Sequence, residues 1–170
     1  MIKRFTKAQR STFTYWYYHW TCFNLLAKKL GVWKFKFLFH DIEKPFLKLF
    51  LPYPKVKKWH REHNDHHLAY GFKHGFDKMD WLAVALDWEC SRFSKKEAPL
   101  NAYETMMRYK EKGEFDKFYI CQNHLLPILE KLGLNKSRKW IIYLQQWQLP
   151  SSLEWRIITY SSRWIKSKNQ

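Results

Sequence analysis

Glycine and proline are scarce in this chain, five and six among 170 residues. So few punctuating residues cannot supply the many tight turns of a β-sandwich or barrel, and an all-α fold is expected. Cysteine is scarcer still. Cys22, Cys90 and Cys121 are odd in number, widely spaced and without a C-x-x-C pair, which argues against a disulfide framework or a thiolate zinc site and fits a reducing compartment. Long apolar runs are missing too. The most apolar region, Val32 to Leu51, is interrupted by Lys34, Lys36, His40, Asp41, Glu43, Lys44 and Lys48, so no transmembrane segment is expected. The basic start, Met1 to Lys7, leads into no apolar stretch or small-residue cleavage site. No secretion signal is expected there, and the location expected is cytoplasmic.

Acidic residues are in deficit as well: 15 Asp and Glu stand against 31 Lys and Arg, a formal charge of +16. That excess is more than solubility requires and predicts an anionic partner, whether nucleic acid, a membrane surface or a small phosphorylated substrate. A merely well-solvated basic surface is the plain alternative. Apolar residues, by contrast, are plentiful at 46%, with aromatics at 19%. This is a globular composition, and 170 residues fit one domain with a real core.

Along the chain, residues 1 to 10 read as a flexible basic arm ahead of a single helical domain over 11 to 170. Trp16, Trp20, Phe23, Leu26 and Leu30 recur every three or four residues, predicting a helix from Thr12 to Leu30 stopped by Gly31. His19 falls on its apolar side, where a core histidine bonded to a carbonyl is the ordinary meaning. A second helix is predicted from Val32 to Glu43 and bounded by Pro45, ending in His40-Asp41-Ile-Glu-Lys44. On a helix His40 and Asp41 would point about 100° apart, and a surface or cap pair is their bland reading. The segment Pro45 to Pro54 reads as a short apolar connection, with Phe46, Leu47, Leu49, Phe50 and Leu51 expected in the core.

The densest chemistry lies at His60-Arg-Glu-His-Asn-Asp-His-His67, which packs four histidines, one asparagine and two acids into eight residues. With residues 55 to 70 helical, His60, Asn64 and His67 would share one face, and several imidazoles could meet at one point. Neutral imidazole is the commonest metal ligand. A solvated His-rich face is the alternative. Gly71 to Phe76 then reads as a turn, with His74 in the loop, and Asp77 to Phe93 as an amphipathic helix. Asp87 lies there on a face of small residues, which suggests a pocket, although a pairing with Arg92 or a lysine would also explain it. Further helices are predicted over Asn101 to Lys112, Glu114 to Leu132, Ser137 to Gln148, and from Pro150 onward.

Taken in order, His19, His40-Asp41-Ile-Glu-Lys44, Trp59-His60, Asn64-Asp-His66-His67 and Asp87-Trp88 resemble the HD superfamily of metal-dependent phosphohydrolases. The pattern is most similar to a family of bacterial and bacteriophage proteins of that fold. The resemblance covers about residues 15 to 110 and implies a single HD-like helical bundle there, with 111 to 170 as a helical extension that carries no matching motif. It implies metal ligands at His19, His40, Asp41, His60, His66, His67 and Asp87. The chain departs from the pattern at Glu43, where a small polar residue is usual, and in the additional His63, which leaves His60 and His63 as alternative ligands.

Two histidines with two aspartates suit Mn²⁺, Fe²⁺, Co²⁺, Ni²⁺ or Mg²⁺ better than a closed zinc site, and the further histidines allow one or two ions. Lys44 would bind substrate and neutralise phosphoryl charge, with Arg61 and Arg92 as further substrate-binding candidates and Lys58 as a weaker one. Glu43 could accept a proton from water, and Asn64 could orient a ligand histidine or bind phosphate. The expected function is a divalent-metal-dependent phosphohydrolase acting on a nucleotide or other small phosphorylated molecule. The alternatives are a nucleic-acid binder on the same scaffold, using Lys34, Lys36, Trp140, Arg156 and Trp164, or a partner-binding protein with a vestigial site.

Overall fold

The structure, a computed structural model, describes residues 5–97 and 99–136. The regular elements described there are helices: α1 (Phe13–Lys29), α2 (Glu43–Leu47), α3 (Tyr53–His63), α4 (Leu68–His74), α5 (Trp81–Ser94), α6 (Ala102–Glu111), α7 (Phe115–His124) and α8 (Leu126–Lys131). The fold is all-α, as composition predicts. The helices predicted beyond Lys136, and Trp140, Arg156 and Trp164 with them, lie outside the described residues.

Helix α5 is the axis of the molecule. Ten of its residues are buried, among them Val84, Leu86 and Glu89, and it divides two cores. On one side Ala83, Leu86 and Cys90 meet Cys22, Phe23, Leu26 and Ala27 of α1, with Phe37 beside them. On the other, Val84, Ala85 and Trp88 meet Met106, Phe118, Cys121, Leu125 and Leu129 from α6 to α8. Full burial of a side chain such as Leu86 contributes roughly 1.5–3 kcal/mol. Arg92 is drawn into this framework: it is buried, with Nε 2.9 Å from Glu89 Oε1, an ion pair within α5.

Caps set the helix starts. Thr12 accepts from the Tyr15 amide ahead of α1, and Asp80 accepts from the Ala83 amide ahead of α5. Asn101 and Glu104 form a reciprocal capping box on α6. The Asp80 cap is why α5 begins at Trp81; Asp77, expected inside that helix, lies in a 3-10 turn over Phe76–Lys78.

Several expectations about local structure are corrected. The helix expected over Val32 to Glu43 is replaced by a 3-10 turn at Phe35–Phe39, a bend at His40 and Asp41, and the start of α2. Pro45 does not end a helix but sits in the first turn of α2, where an amide hydrogen has no intrahelical partner to lose. The connection that follows is not core: Phe46, Leu49 and Phe50 are exposed, because they occupy one outer face while Leu47 and Leu51 are half-buried. The continuous helix over 55 to 70 is broken between His63 and Leu68, with Asn64 extended at φ −107° and ψ 128°. Gly71 lies inside α4 rather than in a turn, since a Cβ there would overlap Met79 Sδ and the Phe76 ring, a close approach only glycine permits.

Residues 5–10 are not loose. Phe5 is buried against the Tyr15 and Tyr18 rings, its amide donates to Ser94 O at 2.9 Å, and Arg10 pairs with Glu97 at 2.7 Å. One large aromatic inserted between α1 and the end of α5 anchors a segment that its polarity alone would leave free. The single helix expected over Glu114 to Leu132 divides at Leu125, where Pro127 cannot donate within the ladder.

Candidate metal centre

The site lies where α1 and α5 face the bend at 40–41 and the broken segment 60–67. From α1, His19 Nε2 reaches Asp87 Oδ1 of α5 at 2.9 Å. His40 Nε2 lies 3.5 Å from His19 Nε2 and 3.9 Å from Asp87 Oδ1, its ring held flat against Phe23 with centroids 3.8 Å apart. These three residues form one group of convergent donors. The second group is Asp41, His60, His66 and His67, and in each group the donor atoms lie within 4.8 Å of one another.

Asp41 joins the two groups. Its Oδ2 faces His19 Nε2 at 3.8 Å and His40 Nε2 at 3.7 Å, whereas its Oδ1 faces His60 Nε2 at 3.1 Å and His66 Nε2 at 3.4 Å. One carboxylate thus turns an oxygen toward each set of imidazoles, the disposition of a bridging ligand between two cations. The backbone makes this possible. Asp41 adopts φ 61°, the left-handed region, the one non-glycine among the described residues to do so. Such a conformation costs on the order of 1–2 kcal/mol for a residue with a side chain, and Asp tolerates it better than most. The bend removes the 100° divergence that a helix would impose on neighbours, so His40 and Asp41 enter the same cavity.

The break after His63 does the same for the His-rich segment. His67 Nε2 comes within 2.5 Å of His60 Nε2, and His66, which would face away on a helix, is buried beside Asp41. His63 is left outside, stacked on Trp59 with its Nδ1 on the Trp59 carbonyl at 2.8 Å. Between the two alternative ligands, His60 is the one in the cluster.

Glu43 and Asn64 stand behind His60. Glu43 Oε1 binds the far ring nitrogen, Nδ1, and Asn64 Nδ2 donates to Glu43 Oε1 at 3.2 Å and to the His60 carbonyl at 3.0 Å. A proton held on Nδ1 leaves the Nε2 lone pair aimed at Asp41 Oδ1, so two acceptors face each other at 3.1 Å. Asp41 Oδ1 and His66 Nε2 are buried and make no hydrogen bond. Unsatisfied buried groups of this kind cost about 1–3 kcal/mol each, and a cation between them would satisfy both.

Charge states suit that role. Burial pushes His40 well below its ordinary value, against the pull of Asp41, and burial with His66 and His60 nearby does the same to His67. Both are neutral, as ligation requires. Burial would raise the Asp41 carboxyl, but His40, Lys44 and His60 outweigh it and hold it well below the usual carboxylate range. Burial opposes ionisation of Asp87 too, and the His19 hydrogen bond overcomes it. His60 is the exception: Asp41 and Glu43 raise it despite burial, so a cation at its Nε2 would have to displace a proton.

Lys44 Nζ sits 2.5 Å from Asp41 Oδ2. Asp41 and Lys44 line a cavity of about 290 Å³ that opens between α1 and α2, with Arg10, Lys48, Trp16 and Tyr53 among its walls. The Trp16 indole N–H and Arg10 Nε are buried without hydrogen bonds. These wall residues carry no signal in the sequence: Arg10 falls in the basic arm, Trp16 on the apolar face of α1, and Lys48 and Tyr53 bear no motif. Tyr15 carries none either; its ring stacks on His19 at 5.9 Å. Of the other substrate-binding candidates, Arg61 lines a separate surface groove with Lys57 and Lys58, and Arg92 is paired with Glu89. Lys36 binds Asp80 at 2.5 Å.

Comparison of the chain with protein-family models, with curated proteins and with solved structures found no match to any of them.

Proposed function

We propose that the chain is a divalent-metal-dependent phosphohydrolase acting on a nucleotide or another small phosphorylated molecule. The observation that carries this reading is Asp41, a buried carboxylate with one oxygen toward His19 and His40 and the other toward His60 and His66. In this reading His19, His40 and Asp87 would hold one cation and His60, His66 and His67 a second, with Asp41 available to both. Divalent cations held there would supply Lewis-acid polarisation of a phosphoryl oxygen and would lower the pKa of a water.

The remaining chemistry falls to the chain. Lys44, on the cavity side of Asp41, offers an ammonium to the non-bridging phosphoryl oxygens, where negative charge concentrates. Lys48 extends that positive wall outward, beside Arg10, which Glu97 holds in place. The Trp16 indole N–H, lacking a partner, offers a donor to the organic part of the substrate, and Tyr53 and Trp16 give it flat apolar surfaces. Glu43 and Asn64 act through His60: they hold its ring so that Nε2 points inward.

The test pairs metal content with turnover. Wild type and Asp41→Ala are expressed with Mn, Fe, Co and Ni supplied, analysed for bound elements, and assayed for phosphate release from nucleotides and simple phosphate monoesters. The expected result is near-stoichiometric metal and turnover in the wild type, both lost in Asp41→Ala with helical circular dichroism retained. Turnover that survives Asp41→Ala, or no metal in either protein, defeats the reading.

A further inference from the structure

The stretch from Lys44 to Arg61 contains six Lys and Arg and no Asp or Glu. It forms α2, the turn after it, and most of α3. Its apolar residues divide into two sets. Val56 is buried, and Leu47 and Leu51 are half-buried, but Phe46 is 62% exposed, Leu49 75% and Phe50 82%. These three are not scattered. Leu49 N bonds to Phe46 O and Leu51 N to Leu47 O, so helical spacing continues past α2 and puts Phe46, Leu49 and Phe50 at i, i+3 and i+4 on one face. Phe13, 65% exposed at the start of α1, joins them, because it and Leu49 wall the same cavity. Single exposed apolar residues need no explanation, but four large ones on one surface do.

We propose that the face carrying Phe13, Phe46, Leu49 and Phe50 docks on the surface of an anionic lipid bilayer. Exposed Phe and Leu side chains ringed by Lys are the pattern of interfacial binding: the apolar groups enter the acyl boundary while ammonium groups meet lipid phosphates. Lys48 lies on the docking element itself, and Lys55, Lys57 and Lys58 are exposed on α3, which packs on α2. Of the nearby acids, Glu62 pairs with Lys58 at 4.0 Å and Glu97 with Arg10 at 2.7 Å, which leaves Lys48, Lys55 and Lys57 to carry the field. Asp41 is buried and Glu43 is engaged by His60. Lys57 is pushed below its ordinary value by burial and by the charges of Arg61, Lys7, Arg10 and Lys44, a sign of positive potential in excess.

The same charge disfavours a second copy of this chain as the occupant, since dimerisation through this face would oppose like charges. Single-stranded nucleic acid is disfavoured by side-chain type. Phe rings can stack on bases, but Leu49 lies among them and none of the four groups has a donor or acceptor for a base or a phosphate, so the apolar face itself suits an acyl boundary better than a polynucleotide. Docking in this orientation sets the mouth of the Asp41 cavity beside the headgroup layer. The docking itself stands whether or not the metal centre hydrolyses phosphate esters.

The experiment is co-sedimentation of the full chain with vesicles of phosphatidylcholine alone or with one-third phosphatidylglycerol, beside a Phe46→Ser, Phe50→Ser double variant. Both positions are exposed, so the variant keeps its helical circular dichroism and, if the metal reading holds, its metal content. The expected result is binding to the phosphatidylglycerol vesicles only, weakened at high salt, with affinity at least tenfold lower in the double variant. Equal binding by both proteins means charge alone and overturns the docking face. Absence of vesicle binding overturns it as well. In that case light scattering and single-stranded DNA titration identify the replacement: a dimer in the wild type that the double variant loses, or DNA binding that the variant loses.

Discussion

The two halves of the candidate metal centre are assembled in opposite ways. His60, His66 and His67 come from one eight-residue stretch and converge because the chain breaks at Asn64. His19, His40 and Asp87 come from α1, the bend before α2, and α5, the first and last 68 positions apart. The first half depends on a local departure from helical geometry; the second depends on the packing of α1 against α5. The difference teaches that ligand density in a sequence and ligand convergence in space are separate properties. The dense half includes a histidine, His63, that the site does not use, while every member of the sparse half takes part.

The comparison can be broken by removing one half at a time. In the two-ion reading, Asp87→Ala and His67→Ala each reduce bound metal from about two equivalents to one, and each lowers turnover by at least a factor of about 10², as loss of one charge-stabilising group does. Elemental analysis checks this, and loss of both ions from either variant would show that the halves form one indivisible site. Glu43→Gln tests the support of the local half alone. Removing the carboxylate behind His60 is expected to weaken metal affinity by about 10–100-fold, the usual effect of an outer partner, measured by competition with a chelator. An unchanged affinity would show that His60 is oriented without it.

Backbone packing offers a smaller and independent effect. Gly71→Ala drives a Cβ into Met79 and Phe76 and is expected to cost about 1–3 kcal/mol by overpacking, read from urea unfolding. Metal content should survive in the dispersed half, which α4 does not build.

The last effect is on pH. The folded-state values of His40 and His67 lie well below their ordinary 6.5, so below pH 6.5 the unfolded chain takes protons the folded one refuses. His60, raised, works the other way. Its contribution is confined to pH values above 6.5, because below that His60 is protonated in both states; the unfolded chain then holds about two extra protons, and the metal-free protein should lose about 2.7 kcal/mol per pH unit well below 6.5. Bound metal should steepen that loss, because protons must then displace it from ligands of both halves. A urea midpoint independent of pH between 7 and 5.5 would contradict the assigned charge states.

Much of this was legible in the residues. Scarce glycine and proline marked an all-helical chain, and apolar spacing located α1, α5 and α6 to within a few residues. The histidine cluster announced itself by density. The order His19, His40-Asp41, His60, His66-His67, Asp87 brought the dispersed ligands into one list. The errors fell where local preference and tertiary demand conflict. Phe35 to Phe39 has helical spacing but forms only a 3-10 turn, since a helix through Asp41 would have pointed its carboxylate away from His40. Residues 55–70 lack glycine and proline yet break at Asn64, which pairs with Glu43 instead.

By itself the sequence determined the helical class, the cationic excess, and which residues had the chemistry to bind a cation, because composition and side-chain type are properties of the chain alone. Tertiary structure decided which of those residues meet. The left-handed bend at Asp41, the exclusion of His63, the burial of Phe5, and the exposure of Phe46 and Phe50 all follow from what packs against α1 and α5, and burial is a property of neighbours far apart in sequence.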